Sequence, residues 1–236
     1  MPALNLSSEF LQYLVAYPSD DGDGLTQLPP LSQLSKELGI SIAGLREQLE
    51  VAEAIGLVEV KPRIGIRRLP YSFLPAVRQS LNYAVARDQA YFVSFSDLRN
   101  HIEAAYWDEA ARMLKPEDHA ELQQLLSQAW DKLGGHPIRI PHNEHRRLHL
   151  LVYCRLENPF VQGLLEAFWE TYEAVGLNLY ADYNYLRQVW TYHQEMVDAI
   201  CEGDYQAGYR ALVEHKDLLY HRPHPVDENK TESLNA

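Results

Sequence analysis

The chain has 236 residues, 46% of them hydrophobic, and a formal net charge of −12. That length suits a small domain joined to a larger one, and the composition supplies a real core. So acidic a balance argues against non-specific nucleic-acid binding by the chain as a whole, and no apolar run approaches the roughly 18 residues of a membrane span.

The N-terminus MPALNLSSEF has neither the basic start nor the apolar stretch of a signal peptide, which predicts a cytoplasmic protein. Two cysteines, Cys154 and Cys201, show no paired spacing and read as small buried residues in a reducing compartment. Charge is unevenly spread. Residues 25–70 carry six basic side chains (Lys36, Arg46, Lys61, Arg63, Arg67, Arg68) against five acidic ones (Glu37, Glu47, Glu50, Glu53, Glu59). Four of the six basics fall between positions 61 and 68, so an acidic body bears a small basic edge.

In chain order, Ser7 to Ala16 reads as a short helix with Phe10, Leu11, Leu14 and Val15 on one face. PSDDGDG breaks it. A second helix runs from Leu31 to Leu38 and stops at Gly39; Ser41 caps a third, with Leu45, Leu49, Ala52 and Ile55 inward and Gly56 at its end. LVEVKPRIGIRRL then alternates around Pro62 and Gly65 as a two-stranded hairpin. Helix–turn–helix followed by a hairpin is a winged helix. Its third helix would enter the major groove of duplex DNA, with Arg46 as the best contact. The hairpin, tipped by Gly65, would lie along the backbone with Lys61, Arg63, Arg67 and Arg68 at phosphates.

From Phe73 onward the pattern is helical. Helices are predicted near 73–88, 95–114, 116–132, 143–156, 159–182, 184–202 and 204–220. The fold class is therefore mainly α. A winged helix-turn-helix domain spans residues 1–70, an all-α bundle of six to seven helices spans 71–220, and 221–236 is predicted to be a disordered tail.

Within the bundle, HNEHRRLH places His145 and His149 on one helix face, one turn apart. His193 is followed by Met196, Val197 and Ile200, and His215 lies among Ala211, Leu212, Leu218 and Leu219, so each of these helices aims an imidazole inward. A buried imidazole needs a hydrogen-bond partner or a metal, and converging imidazoles suit zinc or nickel. Periodicity alone leaves both readings open. His136 and His142 read as exposed loop residues. The zinc-protease motif is absent, because Arg146 follows His145 where that motif has a glutamate base.

Two stretches carry a resemblance. LPPLSQLSKELGISIAGLREQLEVAEAIGLVEVKPRIGIRR resembles the DNA-binding domain of GntR-superfamily regulators. The family usually has arginines where this chain has Ser32 and Ile42; Arg46 keeps the third such position. The helical half resembles the FCD effector domain of the FadR branch, through DLRNHIEAAYWDEAARML, HRRLHLLVYCRLENPFVQGLLE and YHQEMVDAICEGDYQAGYRALVEHKDLL.

That resemblance implies a divalent metal held by His149, His193 and His215, with His145 in the place of the family's aspartate. It also implies a cavity for small organic acids above the metal. Arg99 is the candidate carboxylate partner, unless it instead pairs with Glu103 four residues on; Tyr180, Tyr183 and Tyr185 could line the cavity. The expected protein is a non-enzymatic, cytoplasmic, homodimeric regulator that binds a near-palindromic operator and answers to a metabolite. The alternatives are a regulator that binds a larger acyl ligand without metal, and a metal-dependent enzyme with a vestigial DNA module.

Overall fold

The structure is a computed structural model, and it describes residues 6, 8–18, 25–175 and 182–220. The predicted tail and Tyr180 lie outside the described residues. Among the described residues the fold is mainly helical with one small sheet.

Helix α1 covers Glu9–Ala16, and Ser8 Oγ accepts from Leu11 N at 3.2 Å at its start. Helix α2 (Leu31–Leu38) ends on Gly39, whose φ of 68° is the left-handed conformation glycine adopts without strain. Helix α3 (Ile42–Ala54) begins at Ser41, whose Oγ accepts from Gly44 N at 3.1 Å. The turn after α3 needs Gly56 on two counts. Its φ is 75°, and a Cβ there would meet Pro75 Cγ at 2.4 Å.

The predicted hairpin forms as β2 (Val58–Lys61) and β3 (Gly65–Arg68), with Val60 opposite Ile66. A third strand, β1 (Thr26–Gln27), pairs antiparallel with the other edge of β3, giving the order β1-β3-β2. The two-stranded expectation is thus corrected. A two-residue strand has too little alternation to announce itself. One hydrophobic cluster is drawn entirely from this part of the chain: Phe10, Leu14, Leu28, Leu34, Leu45, Leu49, Ala52, Val58 and Ile66. The inward residues predicted for α3 are there, apart from Ile55, which is half-buried.

The remaining helices are α4 (Leu74–Arg87), α5 (Ala90–Met113), α6 (Pro116–Gly134), α7 (His142–Val152), α8 (Pro159–Ala174), α9 (Tyr183–Glu202) and α10 (Tyr205–Tyr220). Helix α5 starts five residues earlier than its apolar pattern suggested, and α7 stops four residues sooner. By contact, the chain divides into two compact units: Met1–Arg99 with Glu157–Val175, and Asn100–Leu156 with Gly176–Ala236. Helices α4 and α8 therefore fall in the same unit as the winged helix, although the sequence reading places both in the helical domain.

In the first unit α8 approaches the start of α4 so closely that a Cβ on Gly163 would lie 2.7 Å from Leu74 N. In the second unit α6 packs on α7 and α9, and α9 packs on α10. Lys132 donates to both carboxylate oxygens of Glu144 at 2.7 Å, tying α6 to α7. Arg155 grips Asp118 with two hydrogen bonds of 2.8 Å, and Asp118 also accepts from Lys115 N at the start of α6. That guanidinium, foremost, holds the Asp118 carboxyl below the usual carboxylate range. The buried Trp107 donates its Nε1–H to Tyr205 O at 2.9 Å and leaves room only for Gly208 on α10.

Neither cysteine is fully buried. Cys154 is exposed and Cys201 half-buried, both are free thiols, and desolvation pushes both thiol pKa values up. This corrects the expectation of two buried residues. Cys154 lies two residues past the end of α7, beyond the helical face that would have turned it inward.

Candidate functional site

The winged helix presents its cations unequally. Arg46 on α3 is exposed, and so is Ile42 (43%) at the first position of that helix. Lys61 is exposed but pairs with Glu59 at 2.6 Å, and the same carboxylate lies 3.7 Å from the half-buried Arg67. Between the strands, Arg63 is exposed with φ at 67°, and Gly65 has φ at 95°. The wing tip thus holds a bulky residue in the left-handed region, an uncommon conformation for any residue but glycine.

Arg68 has a different task from the phosphate contact its sequence position suggested. Its Nη1 donates to Leu14 O at 3.1 Å, in the last turn of α1, and to Tyr17 O at 2.8 Å, just past its end, and its Nη2 lies 3.5 Å from Thr26 Oγ1. The alternation of β3 turns this guanidinium toward α1, where it fastens helix to sheet. Beside it lies an apolar cavity of about 520 Å³, lined by residues that include Leu11, Leu14, Ile55, Leu57 and Tyr71.

In the helical half, the four predicted histidines converge. His145 and His149 come from α7, His193 from α9 and His215 from α10. Their ring centroids lie between 4.4 and 5.9 Å apart, and one candidate ligand atom from each falls within 4.8 Å of all the others. His149, His193 and His215 are 2%, 0% and 3% exposed, while His145 is half-buried. Trp190, 1% exposed, walls the cluster with its ring 4.9 Å from that of His193 and 6.0 Å from that of His145.

Helix geometry explains the convergence. The i, i+4 pair stacks on the inner face of α7, with the buried Leu148 and Val152 beside it. Gly203, with φ at 77°, turns the chain from α9 back along α10, so that His193 and His215 meet. His136 is exposed and His142 half-buried, and neither joins the cluster.

Among the cluster's closest contacts, His149 Nε2 faces His193 Nε2 at 3.0 Å. His149 Nδ1 lies 3.2 Å from Glu103 Oε1 on α5, and Glu103 is 1% exposed. The donor set fits a metal ion. Imidazole nitrogens about 2.0–2.1 Å from one ion lie roughly 3–4 Å from each other, so the observed spread needs only small side-chain adjustments. An all-nitrogen, largely buried set suits zinc or nickel better than calcium or magnesium, which take oxygen ligands.

Arg99 is buried, at 3%, and its guanidinium carbon sits 4.6 Å above the Phe168 ring and 5.3 Å from that of Trp169. It belongs to the first compact unit, whereas the four histidines belong to the second. Tyr183 is 40% exposed and Tyr185 half-buried, which is not the pattern of residues enclosed in a pocket.

Residues 95–218 match the FCD domain family. The chain belongs to the FCD domain family. Its fold is similar to that of a Streptococcus agalactiae GntR protein, with a TM-score of 0.62 at 18% identity over 90% of this chain and 95% of that one. Two other solved structures align at lower scores. Escherichia coli McbR/YncC gives 0.46 at 20% identity, over 92% of this chain and 97% of that one. A GntR-family transcriptional regulator from Pseudomonas syringae gives 0.37 at 16% identity, over 88% and 78%. The likeness of fold rests on the streptococcal protein. No curated protein matches the sequence.

This FCD protein therefore joins a winged helix to a helical domain of a known family. Of the residues singled out in the sequence, the four histidines are brought together, Arg46 and the outer wing are exposed, and Arg68 is turned inward. Glu103 gained no role at the histidine cluster from sequence. Its signal was an acidic residue on the inner face of an otherwise apolar turn of α5.

Proposed function

We propose that this FCD protein is a metabolite-responsive transcription regulator of the FadR type, without enzymatic activity. The reading rests on one observation: four imidazoles converge in the FCD half of a chain whose other end is a winged helix. His149, His193 and His215 would hold a divalent ion, zinc or nickel, with His145 as a fourth ligand in place of a carboxylate. The ion would supply a Lewis-acid centre that attracts the oxygen of an anionic ligand. A small organic acid is the proposed effector, with Arg99 as its carboxylate partner.

The DNA contacts are proposed at Arg46, Lys61, Arg63, Arg67 and the backbone of Gly65. A homodimer would set two α3 helices on a near-palindromic operator. Effector binding would change the spacing of the two winged helices and hence operator affinity. No helix among the described residues is long and apolar enough to cross a membrane, in keeping with the proposed cytoplasmic location.

The test begins with an operator selected from a random duplex pool. Its affinity is then measured at fixed salt, with the zinc-loaded and the chelated protein, across a panel of small carboxylates. At least one carboxylate should shift affinity in the loaded protein and leave the chelated protein unmoved. Recovery of no preferred duplex would sink the regulator reading. A response that ignores the metal would sink the metal-dependent part and favour a larger, metal-independent ligand.

A further inference from the structure

We infer that Glu103 is the positioning residue of the histidine centre: it fixes His149 as an Nε2 ligand and supplies the negative charge that the four imidazoles lack. This rests on the metal reading above and extends it to a residue outside the ligand set.

The geometry carries the first part. The Glu103 carboxylate lies 3.2 Å from His149 Nδ1, and the two side chains are 2% and 3% exposed. A carboxylate there accepts a hydrogen bond, so Nδ1 carries the proton and the lone pair is left on Nε2. That nitrogen is the one that faces His193 Nε2 at 3.0 Å. The turn of α5 that bears Glu103 is itself anchored, because Tyr153 Oη donates to Glu103 O at 2.9 Å.

Charge carries the second part. The donor group contains no carboxylate, since His145 stands in it beside the other three histidines. A divalent ion held by neutral imidazoles keeps its full charge in a largely buried site, where that charge is costly. Glu103 offsets part of it through one imidazole. A carboxylate behind a metal-bound histidine also raises the basicity of that ligand, and removing such a partner typically weakens metal binding by about 10–100-fold.

The experiment measures zinc affinity by competition with a chromogenic chelator, and the visible spectrum of the cobalt-loaded protein. The wild type is compared with Glu103→Gln, Glu103→Asp and, as a control, Asp118→Asn. Glu103→Gln keeps size and a hydrogen-bonding group but removes the charge. It should weaken zinc binding by about 10–100-fold and shift the cobalt bands. Glu103→Asp keeps the charge at shorter reach and should fall between it and the wild type. Asp118→Asn loses the Arg155 pair, which is not part of the ligand set, and should lower thermal stability while zinc affinity and cobalt bands stay put. The inference is overturned if both Glu103 variants bind zinc as tightly as the wild type with unchanged cobalt bands. It also falls if Asp118→Asn weakens zinc binding as much as Glu103→Gln does. A wild type that binds no zinc, nickel or cobalt overturns the metal reading itself and this inference with it.

Discussion

The winged helix keeps its chemistry on the outside. Arg46 and Arg63 are exposed, and Lys61 is exposed yet shares Glu59 with Arg67. The helical half keeps its chemistry inside, with His149, His193 and His215 at most 3% exposed. Water and salt screen the first set, so under the proposed DNA contacts each cation there would contribute a modest, salt-dependent increment. Burial does the opposite for the second set. Each imidazole must be satisfied, and the loss of one is felt by all. One region is thus built to be graded and the other to be all-or-none.

The largest expected effect breaks the buried half. His193 is 0% exposed and central to the cluster, so His193→Ala should abolish metal-linked stabilisation altogether. For the wild type, metal at a hundred times its dissociation constant should add about 2.7 kcal/mol to unfolding, and chelation should remove it. Scanning calorimetry with and without chelator checks both, and an equal shift in the variant would contradict the assignment.

Next come the cations of the winged helix, among which the exposed Arg46 and the inward-turned Arg68 should separate. Arg46→Ala should cost about 1–3 kcal/mol of operator affinity and leave the unfolding temperature alone. Arg68→Ala should do the reverse. It strips a donor from Leu14 O and Tyr17 O, so unfolding should be easier by about 1–3 kcal/mol. The slope of log affinity against log salt should not change for Arg68→Ala. For Lys61→Ala that slope should fall by about 1. Binding titrations at several salt concentrations, beside denaturant melts, resolve the three variants.

The smallest effect belongs to Asp118. The Arg155 guanidinium depresses its folded pKa, so the folded state releases that proton more readily than the unfolded chain. Its stabilising contribution is therefore fully present above the unfolded pKa of about 3.9 and is lost as pH falls through the lower folded value. Asp118→Asn should flatten the stability–pH curve at that acid end and nowhere else. An unchanged curve would mean that the ion pair does not persist in solution.

Much of this was legible in the residues. Ser41, Gly39 and Gly56 marked the helix-turn-helix because caps and left-handed turns leave local signatures. The inward aim of His149, His193 and His215 followed from their helical neighbours. Their convergence did not, because periodicity fixes a face and not what that face meets. The backbone partners of Arg68 were hidden for a similar reason. Sequence shows a cation on a strand, and only the partner across the sheet decides whether it meets solvent or the end of α1. Strand β1 was too short to carry a pattern, and the role of Glu103 depends on α7 lying beside α5.

On the proposed reading the four histidines form one metal site. The most direct test is elemental analysis of the purified, untagged protein after zinc or nickel loading, beside a His149→Ala/His193→Ala variant. About one ion per chain in the wild type and none in the variant is the predicted result. No retained metal in either protein, or equal metal in both, would contradict it.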